Sequence, residues 1–298
     1  MKLGIDIGSY QVKTSEGIIF DSRIAPATEF GTSKDTLFYN EKEYYIGEGQ
    51  LETEYRKFDK KNFIPLLLTA IAKSTEENKI DLGLGLPIKH FKSRQTKQEL
   101  INMLKGKDFV FELNGETKFI TINTVKVFPE GVSGFLFLMQ TDNKLRSEVG
   151  TRDAILIDVG GGTTDIALIV EGSAKQPTSI LKGTINVYDI IQKELSEKYY
   201  DAKIEKEKIQ HFLENGFYYK GEKQDISFAI NKTIKVFKEV YSELKMNYPI
   251  YTEAVVVMGG GAKIFGEAFV KTIPNIIIRN QTEKDIFANA NGYKMLLK

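Results

Sequence analysis

Two short segments of the chain combine an aspartate with glycines directly after an apolar, strand-like pattern. The first is Leu3–Ser9 (LGIDIGS) and the second is Leu156–Thr163 (LIDVGGGT), with Asp6 and Asp158 in corresponding places. Backbone N–H groups of a glycine turn can bind phosphate oxygens, and a nearby carboxylate can hold a divalent cation or its water ligands. The pair therefore predicts a clamp for a nucleoside triphosphate, on the condition that the two turns face each other.

A third glycine element follows the apolar run Ala254–Met258 and consists of Gly259, Gly260 and Gly261. A glycine after a strand often marks only a turn, and this group by itself also fits close packing of a strand against a helix. The three consecutive glycines at 160–162 are harder to explain in that way, because glycine costs conformational entropy on folding. We therefore expect the three glycine elements to converge on one cleft.

Two common nucleotide-binding patterns are absent from the sequence. No glycine is followed by lysine and serine or threonine at the spacing of the single phosphate-binding loop. Gly259 and Gly261 lack the third glycine of the dinucleotide fingerprint, and they stand near the end of the chain. The three-loop arrangement is the pattern that remains.

Composition limits the classes of protein to which the chain can belong. With 298 residues, 42% of them hydrophobic, two domains of ordinary size are expected. The formal charge of +1 argues against direct nucleic-acid binding, which needs a broad basic surface. There is no cysteine, and only His90 and His211 offer imidazoles, so thiolate and histidine-cluster metal sites are excluded. The longest apolar runs, Ile64–Ala72 and Phe135–Met139, are too short to span a bilayer, so we expect a cytoplasmic protein that does not bind membranes.

Strand-like and helix-like patterns alternate along the chain, which indicates an α/β architecture. The first half contains a polar, irregular insertion at about residues 24–58, followed by helical spacing from Phe63 to Ile71. In the second half, apolar spacing predicts a helix at Ile204–Leu213, a long helix from about Asp225 to Asn247 and a last helix over roughly Glu283–Leu297.

Five segments in order resemble the five-motif signature of the actin-like ATPase superfamily: phosphate 1, connect 1, phosphate 2, adenosine and connect 2. They are DIGSYQVK (6–13), FPEG (128–131), IDVGGGTTD (157–165), VVVMGGGAKIF (255–265) and FANANGYKMLL (287–297). Within the superfamily the chain looks most similar to the ParM-type bacterial plasmid-segregation actins. The compact length, the segment Tyr45–Gly49 (YIGEG) and the Phe-Pro-Glu connector carry that narrower resemblance.

The resemblance implies an α/β, actin-like (ribonuclease H-like) fold in which two similar domains flank a nucleotide cleft. Domain I is expected to span residues 1–150, with the small insertion at about 24–58, and to be completed by the C-terminal helix 283–298. Domain II is expected to span residues 151–282.

The resemblance also implies roles for the glycine turns and the acidic residues. Phosphate oxygens are expected to bind Gly8, Ser9, Gly160, Gly161, Gly162 and Thr163, with Lys13 supplying positive charge. Asp6 and Asp158 are expected to hold Mg²⁺ through water ligands, and with Glu130 they form the expected catalytic set. Glu130 is implied to orient or deprotonate the attacking water. The role of Lys13 rests on the motif, since a lysine alone is more often a solvated surface residue. Without the resemblance, Glu130 is equally a turn carboxylate beside Pro129.

Contacts with the purine and ribose are implied for a separate group of residues. Adenine is expected to lie against Gly260 and Gly261, and Gly259 of the same element is also expected to belong to the nucleotide site. Lys206 and Glu207, on the helix predicted at Ile204–Leu213, resemble the lysine–glutamate pair that touches purine and ribose in actins. The same run of alternating charges is equally an ordinary solvated helix face.

The function implied is that of a cytoplasmic, filament-forming ATPase that binds and hydrolyses Mg-ATP, with ATP or ADP and Mg²⁺ as its ligands. Nucleotide state would control polymerisation, and the polymer would move plasmid DNA. The implied partners are other copies of the chain and a separate DNA-binding adaptor on a centromere-like site, without direct contact to nucleic acid or membrane. Two alternatives remain: a metabolic kinase of the same superfamily and a cell-division or pilus-type scaffold.

Overall fold

The structure is a computed structural model that describes residues 1–27, 35–50, 52, 56–279 and 282–298. Its strands are β1 (Lys2–Ile7), β2 (Gln11–Thr14), β3 (Ile19–Asp21), β4 (Ile24–Pro26), β5 (Thr36–Tyr39), β6 (Lys42–Ile46), β7 (Lys79–Leu86), β8 (Lys107–Leu113), β9 (Glu116–Pro129), β10 (Ala154–Val159), β11 (Thr164–Val170), β12 (Ser173–Ile180), β13 (Phe217–Tyr219), β14 (Glu222–Gln224), β15 (Ala254–Met258) and β16 (Ile276–Ile278).

Its α-helices are α1 (Phe63–Ser74), α2 (Ile88–Lys92), α3 (Arg94–Leu104), α4 (Val132–Thr141), α5 (Asn143–Val149), α6 (Thr184–Lys198), α7 (Ile209–Asn215), α8 (Ser227–Lys232), α9 (Ile234–Asn247), α10 (Ala262–Phe269), α11 (Glu283–Ile286) and α12 (Ala288–Leu296). Short 3-10 helices lie at Lys57–Asp59 and Lys206–Lys208.

Two sheets share the same strand order and directions. The first runs β3-β2-β1-β7-β9 and continues through β8, β5, β6 and β4, and the second runs β12-β11-β10-β15-β16. In the first, β1 is antiparallel to β2 and parallel to β7, and in the second β10 is antiparallel to β11 and parallel to β15. This repeat confirms the expected α/β fold with two similar units, and it makes β1 and β10, the strands that carry Asp6 and Asp158, equivalent.

Helices cover both faces of the second sheet. Because side chains alternate between the two faces of a strand, Ile155 and Ile157 of β10 join one core with residues of α6, α9 and α10. Leu156 belongs to a separate cluster with Phe135 and Leu138 of α4. α4 also contacts β9 and α12, so this helix connects the two sheets.

The C-terminal helix returns to the first sheet. α12 packs against β1, β7 and α4, and Lys294 near its end forms an ion pair of 2.7 Å with Glu16, in the turn after β2. The C-terminal helix therefore lies directly behind β1, the strand that carries Asp6. Within the described ranges, none of the helices is both long enough and apolar enough to cross a bilayer.

The predicted insertion at about 24–58 is more regular than expected where the structure describes it. Residues 28–34, 51 and 53–55 of this segment lie outside the described residues. The remainder includes β4, β5 and β6, which extend the first sheet through pairing of β5 with β8. Leu37 and Ile46 are buried in the core of that sheet, which explains why these residues form strands.

Three predicted helices differ in detail. The helix expected at 225–247 is divided at Thr233, whose hydroxyl donates to the carbonyl of Ile230 (2.7 Å). In the second of the two helices Ile234 is 48% exposed, whereas Val236 and Val240 are buried. The last helix is likewise divided, at Phe287. The helix expected at 204–213 begins as a 3-10 turn and becomes α-helical only from Ile209.

Candidate active site

A cavity of about 490 Å³ is lined by residues from both sheets. Most of the residues that the sequence predicted for the site contribute to its wall: Asp6, Gly8, Ser9, Lys13, Glu130, Asp158, Gly160, Gly161, Gly162, Thr163, Gly259 and Gly260. These residues come from the ends of β1 and β10, from the turns that follow β1, β9, β10 and β15, and from β2. The fold therefore brings segments that are far apart in the chain to one place.

The two turns that follow β1 and β10 have the same construction and face each other. The N–H of Gly8 donates to the carbonyl of Gln11 (2.9 Å), and the N–H of Gly160 donates to the carbonyl of Thr163 (2.8 Å). A methyl group on Gly161 would lie only 3.3 Å from the Cβ atom of Ser9. The distance between the turns is thus short enough for both to contact one polyphosphate chain.

The N-terminus of α6 holds the second turn in place. The N–H groups of Thr184 and Ile185 donate to the carbonyls of Gly160 (3.1 Å) and Gly161 (2.9 Å). These bonds use two of the helix N–H groups that have no partner within the helix. The positive end of the α6 dipole therefore lies behind the glycines, where it favours an anion on the cavity side.

Asp158 is enclosed by two glycines that cannot be replaced without strain. Gly131 (φ 69°) and Gly259 (φ 89°) both adopt left-handed backbone conformations. A Cβ atom on Gly131 would stand 2.7 Å from Asp158 Cβ, and one on Gly259 would stand 2.3 Å from Asp158 Oδ1. Asn289 of α12 accepts a hydrogen bond from the Gly131 N–H (3.0 Å) and donates to Asp158 Oδ2 (3.4 Å). The glycines and Asn289 together set the position of this carboxylate.

The positive charge of Lys57 lies beside the carboxylates of Glu130 and Asp6 on the first-sheet side of the cavity. Its Nζ atom lies 2.5 Å from Glu130 Oε1 and 3.8 Å from Asp6 Oδ1. Burial by itself would lower the pKa of Lys57, but the charges of Glu130, Asp6 and Asp158 outweigh it and raise the pKa to about 12. Burial raises the pKa of Glu130 to about 8, although the charge of Lys57 opposes this shift.

A second pair of carboxylates, Asp158 and Asp165, belongs to the second sheet. Asp158 and Asp165 are direct neighbours in the β10–β11 ladder, and both are buried. Burial, with the charges of Asp165 and Asp6, raises the pKa of Asp158 to about 7. Burial also raises the pKa of Asp165 to about 6, against a hydrogen bond from Ser179 that lowers it. Asp6, Glu130 and Asp158 thus line one cavity, with Asp165 buried beside Asp158, and a cation in the cavity would favour the charged forms of these carboxylates.

The donor set fits Mg²⁺ delivered with a nucleotide better than an enclosed metal site. Among the residues that the structure describes, no group of three or more His, Cys, Asp or Glu side chains is placed to hold a metal ion. Mg²⁺ keeps several water ligands and is usually bound by one or two carboxylates together with substrate phosphates. Asp6 and Asp158, which line the cavity from the two sheets, can supply these carboxylates.

Three predicted site residues lie outside the cavity wall. Gly261 is buried, and a Cβ atom there would stand 2.4 Å from Val159 Cγ1, so packing of α10 against β10 accounts for this glycine. Lys206 forms an ion pair with Asp189 (2.6 Å). The backbone carbonyl of Glu207, rather than its side chain, accepts a hydrogen bond from the Tyr10 hydroxyl (3.2 Å).

Lys206 and Glu207 lie outside the cavity wall because residues 206–208 form a 3-10 turn. Side chains on such a turn point in directions different from those on a regular α-helix. One turn later, Gln210 and Glu214 of α7 reach the cavity instead.

Sequence reasoning also missed residues that line the cavity. Lys57 stands at the end of the segment interpreted as an insertion, and neither its spacing nor its neighbours signal a contact with Glu130. Asn289 and Lys263 lie inside the connect 2 and adenosine segments, so those motifs pointed to the right stretch of chain without singling out the residue. Tyr10 lies inside the phosphate 1 segment in the same way.

Comparison with protein families gives two matches that together span most of the chain. Residues 4–132 match the model for the N-terminal domain of actin-like proteins. Residues 156–271 match the model for the C-terminal domain of the MreB-like archaeal actin homologue. No curated protein sequence matches the chain.

Solved structures of similar fold cover nearly the whole chain. An archaeal actin homolog, Ta0583, in complex with ADP superimposes with a TM-score of 0.80 at 20% identity, over 99% of this chain and 98% of that one. ParM in a 15-stranded filament from Clostridium botulinum gives 0.78 at 22% identity, over 99% and 98%. The actin-like protein Alp7A gives 0.73 at 15% identity, over 99% and 95%. At these identities the likeness establishes the fold.

Proposed function

The chain belongs to the actin-like superfamily, and on that premise we propose that it binds and hydrolyses Mg-ATP in the cavity between its two sheets and polymerises in the ATP state. One observation carries the proposal: Asp6 and Asp158, at the ends of equivalent strands, line the same cavity as Glu130 and both glycine turns. In this proposal residues 1–150 with 283–298 form domain I and residues 151–282 form domain II.

Different residues of the chain bind the phosphates and the cation during phosphoryl transfer. Bound Mg-ATP supplies the transferable phosphoryl group together with the cation that neutralises its charge. The turns at Gly8–Ser9 and 160–163 bind phosphate oxygens through backbone N–H groups, and Lys13 adds positive charge from β2. Asp6 and Asp158 hold the hydrated cation, with Asp158 kept in place by Asn289.

Glu130 orients the attacking water and accepts its proton. Its carboxylate is held at Oε1 by Lys57, whose charge also lies beside Asp6. Because Lys57 lines the cavity, its ammonium group would stabilise negative charge that develops on the transferred group. The purine lies near Gly260, which lines the cavity together with Lys263.

Nucleotide state can control assembly because the ligand contacts both halves of the molecule. A ligand shifts a conformational equilibrium only as far as its affinities for the two states differ. A triphosphate bound by both glycine turns favours the closed arrangement, and loss of the γ-phosphate removes part of that preference. The filaments reported for ParM from Clostridium botulinum support assembly as the readout in this chain as well.

Assembly is expected when Mg-ATP is added to the purified protein at high concentration. Light scattering should rise, electron microscopy should show filaments, and the signal should decay as ATP is consumed. A non-hydrolysable ATP analogue should give filaments that persist, and EDTA should prevent assembly because the carboxylates hold the nucleotide through Mg²⁺. Scattering that stays flat both with Mg-ATP and with Mg²⁺ and the non-hydrolysable analogue would contradict assembly, and turnover that requires an added acceptor would indicate a kinase instead.

Replacing Gly259 by alanine is expected to weaken ATP binding about tenfold or more. The new Cβ atom would overlap Asp158 Oδ1 and the backbone would be strained, so the carboxylate must leave its position. Gly221→Ala is the matched control, since Gly221 has nearly the same φ (86°) but no atom near the added methyl group. Equal ATP affinities in the two variants, measured with a fluorescent ATP analogue, would refute a role for the Asp158 position.

The cellular role that we propose is segregation of plasmid DNA in the cytoplasm. The formal charge of +1 leaves the chain without a broad basic surface for DNA. The link to DNA is therefore assigned to a separate adaptor protein on a centromere-like site, and the partners of this chain are its own copies and that adaptor. An electrophoretic shift of plasmid DNA by the purified chain alone would contradict this division of roles.

A further inference from the structure

Tyr293 of α12 is one of the largest side chains that are fully buried in the described part of the protein. Its ring stacks on Phe128 of β9, with the centroids 6.1 Å apart and an interplanar angle of 9°. Phe128 stands two residues before Glu130 in the chain. Tyr293 therefore lies directly beneath the segment that carries the proposed general base.

The hydroxyl of Tyr293 and the side chain of Glu130 both lie close to Gly85 of β7. A Cβ atom built on Gly85 would stand 1.9 Å from Tyr293 Oη and 2.8 Å from Glu130 Cγ. Any side chain at this position would displace both groups. Glycine in the middle of a strand weakens that strand, so its presence here is explained by the space that the tyrosine and the glutamate occupy.

Among the described residues, Tyr293 Oη has no hydrogen-bond partner, although it is completely buried. A buried hydroxyl without a partner is costly, and phenylalanine would fill the same space without that cost. Burial and the nearby charges of Asp6, Glu130, Asp158 and Asp165 raise the pKa of Tyr293 well above its usual value, so the hydroxyl keeps its proton and can act as a donor.

We propose that Tyr293 is a positioning residue for Glu130, whose carboxylate accepts a hydrogen bond from the tyrosine hydroxyl, directly or through one ordered water, when nucleotide is bound. The inference rests on the proposed ATPase function. A triphosphate competes with Glu130 for the ammonium group of Lys57, which lies 2.5 Å from Oε1. As that contact weakens, the hydroxyl beneath Glu130 keeps the carboxylate directed at the attacking water.

The test is Tyr293→Phe, which keeps the ring and removes only the hydroxyl oxygen. We expect kcat for ATP to fall roughly tenfold, since hydrogen bonds to charged groups are among the stronger ones, while KM stays the same. The Tm of the ligand-free protein should stay equal or rise, because a buried group without a partner has been removed. Loss of activity without loss of stability is a combination that a purely structural tyrosine does not give.

Tyr248→Phe is the matched control. Tyr248 is also buried, but its hydroxyl already has a partner, since it donates to the carbonyl of Gln176 at 2.5 Å. This variant should show the opposite pattern, a lower Tm with unchanged kcat. If Tyr293→Phe instead keeps full kcat, or loses stability as Tyr248→Phe does, the positioning role is wrong and the proposed ATPase function still stands.

A crystal structure with a non-hydrolysable ATP analogue and Mg²⁺ decides the inference without relying on activity. Tyr293 Oη within hydrogen-bond distance of a Glu130 oxygen, or of a water that also contacts Glu130, supports it. A hydroxyl without either contact overturns it. A wild-type protein that does not hydrolyse ATP would refute the proposed function, and the positioning role would then be judged by this structure.

Discussion

Glu130→Gln is expected to lower the rate of ATP hydrolysis by about 10²–10⁴-fold, the range seen when a general base is lost. Glutamine has the same shape and still accepts a hydrogen bond from Lys57 at the position of Oε1, but it cannot take a proton from water. Binding of ATP should remain, because the variant removes negative charge from a cavity that must receive a polyanion. Phosphate release measures hydrolysis, and titration with a fluorescent ATP analogue measures affinity.

The same variant separates hydrolysis from assembly. If the ATP state polymerises and hydrolysis destabilises the polymer, Glu130→Gln should form filaments that outlast those of the wild type. Glu112→Gln is the control, because Glu112 is an exposed carboxylate of β8 that does not line the cavity. Wild-type turnover in Glu130→Gln would remove Glu130 from the proposed mechanism, and ATP binding lost together with hydrolysis would indicate that its role is structural.

Arg279→Leu is expected to lower the free energy of unfolding by about 3–5 kcal/mol, the usual cost of removing one member of a buried ion-pair network. The Arg279 guanidinium, directly after β16, donates to Asp285 Oδ1 (2.8 Å) and to Asp142 Oδ2 (2.5 Å). The exposed fractions of the three side chains are 10% for Arg279, 2% for Asp285 and 18% for Asp142. Without the arginine, two carboxylates remain close together and largely buried.

Each aspartate of this network also helps to cap the N-terminus of a helix, which adds to the expected loss. Asp142 accepts from the N–H groups of Lys144 and Leu145 at the start of α5, and Asp285 accepts from the Thr282 N–H at the start of α11. Urea denaturation of the wild type and the variant measures the loss. Arg152→Leu is the control, since Arg152 is exposed and donates to the backbone carbonyls of Glu148 and Val149. A loss below about 1 kcal/mol, within the range of an exposed salt bridge, would contradict the assigned importance of the network.

Much of the candidate site could be predicted from patterns of residues that are close together in the sequence. In the segments around Asp6 and Asp158, the strand, the glycine turn and the return strand are all close in sequence, and one hydrogen bond from the glycine N–H closes each turn. The spacing of aspartate and glycine therefore sufficed to predict both turns. The predicted secondary structure was less accurate at residues 206 and 207. Helical spacing does not distinguish a 3-10 turn from the first turn of an α-helix.

The sequence by itself determined the α/β class, the two equivalent aspartate-bearing hairpins and the glycine elements, because these depend on alternation and on turn chemistry within a few residues. Only the tertiary structure decided which remote side chains complete the site. Lys57 reaches Glu130 across 73 residues, Asn289 reaches Asp158 across 131 and Arg279 reaches Asp142 across 137. Contacts at such separations follow from how helices pack against the sheets, and periodicity along the chain carries no information about them.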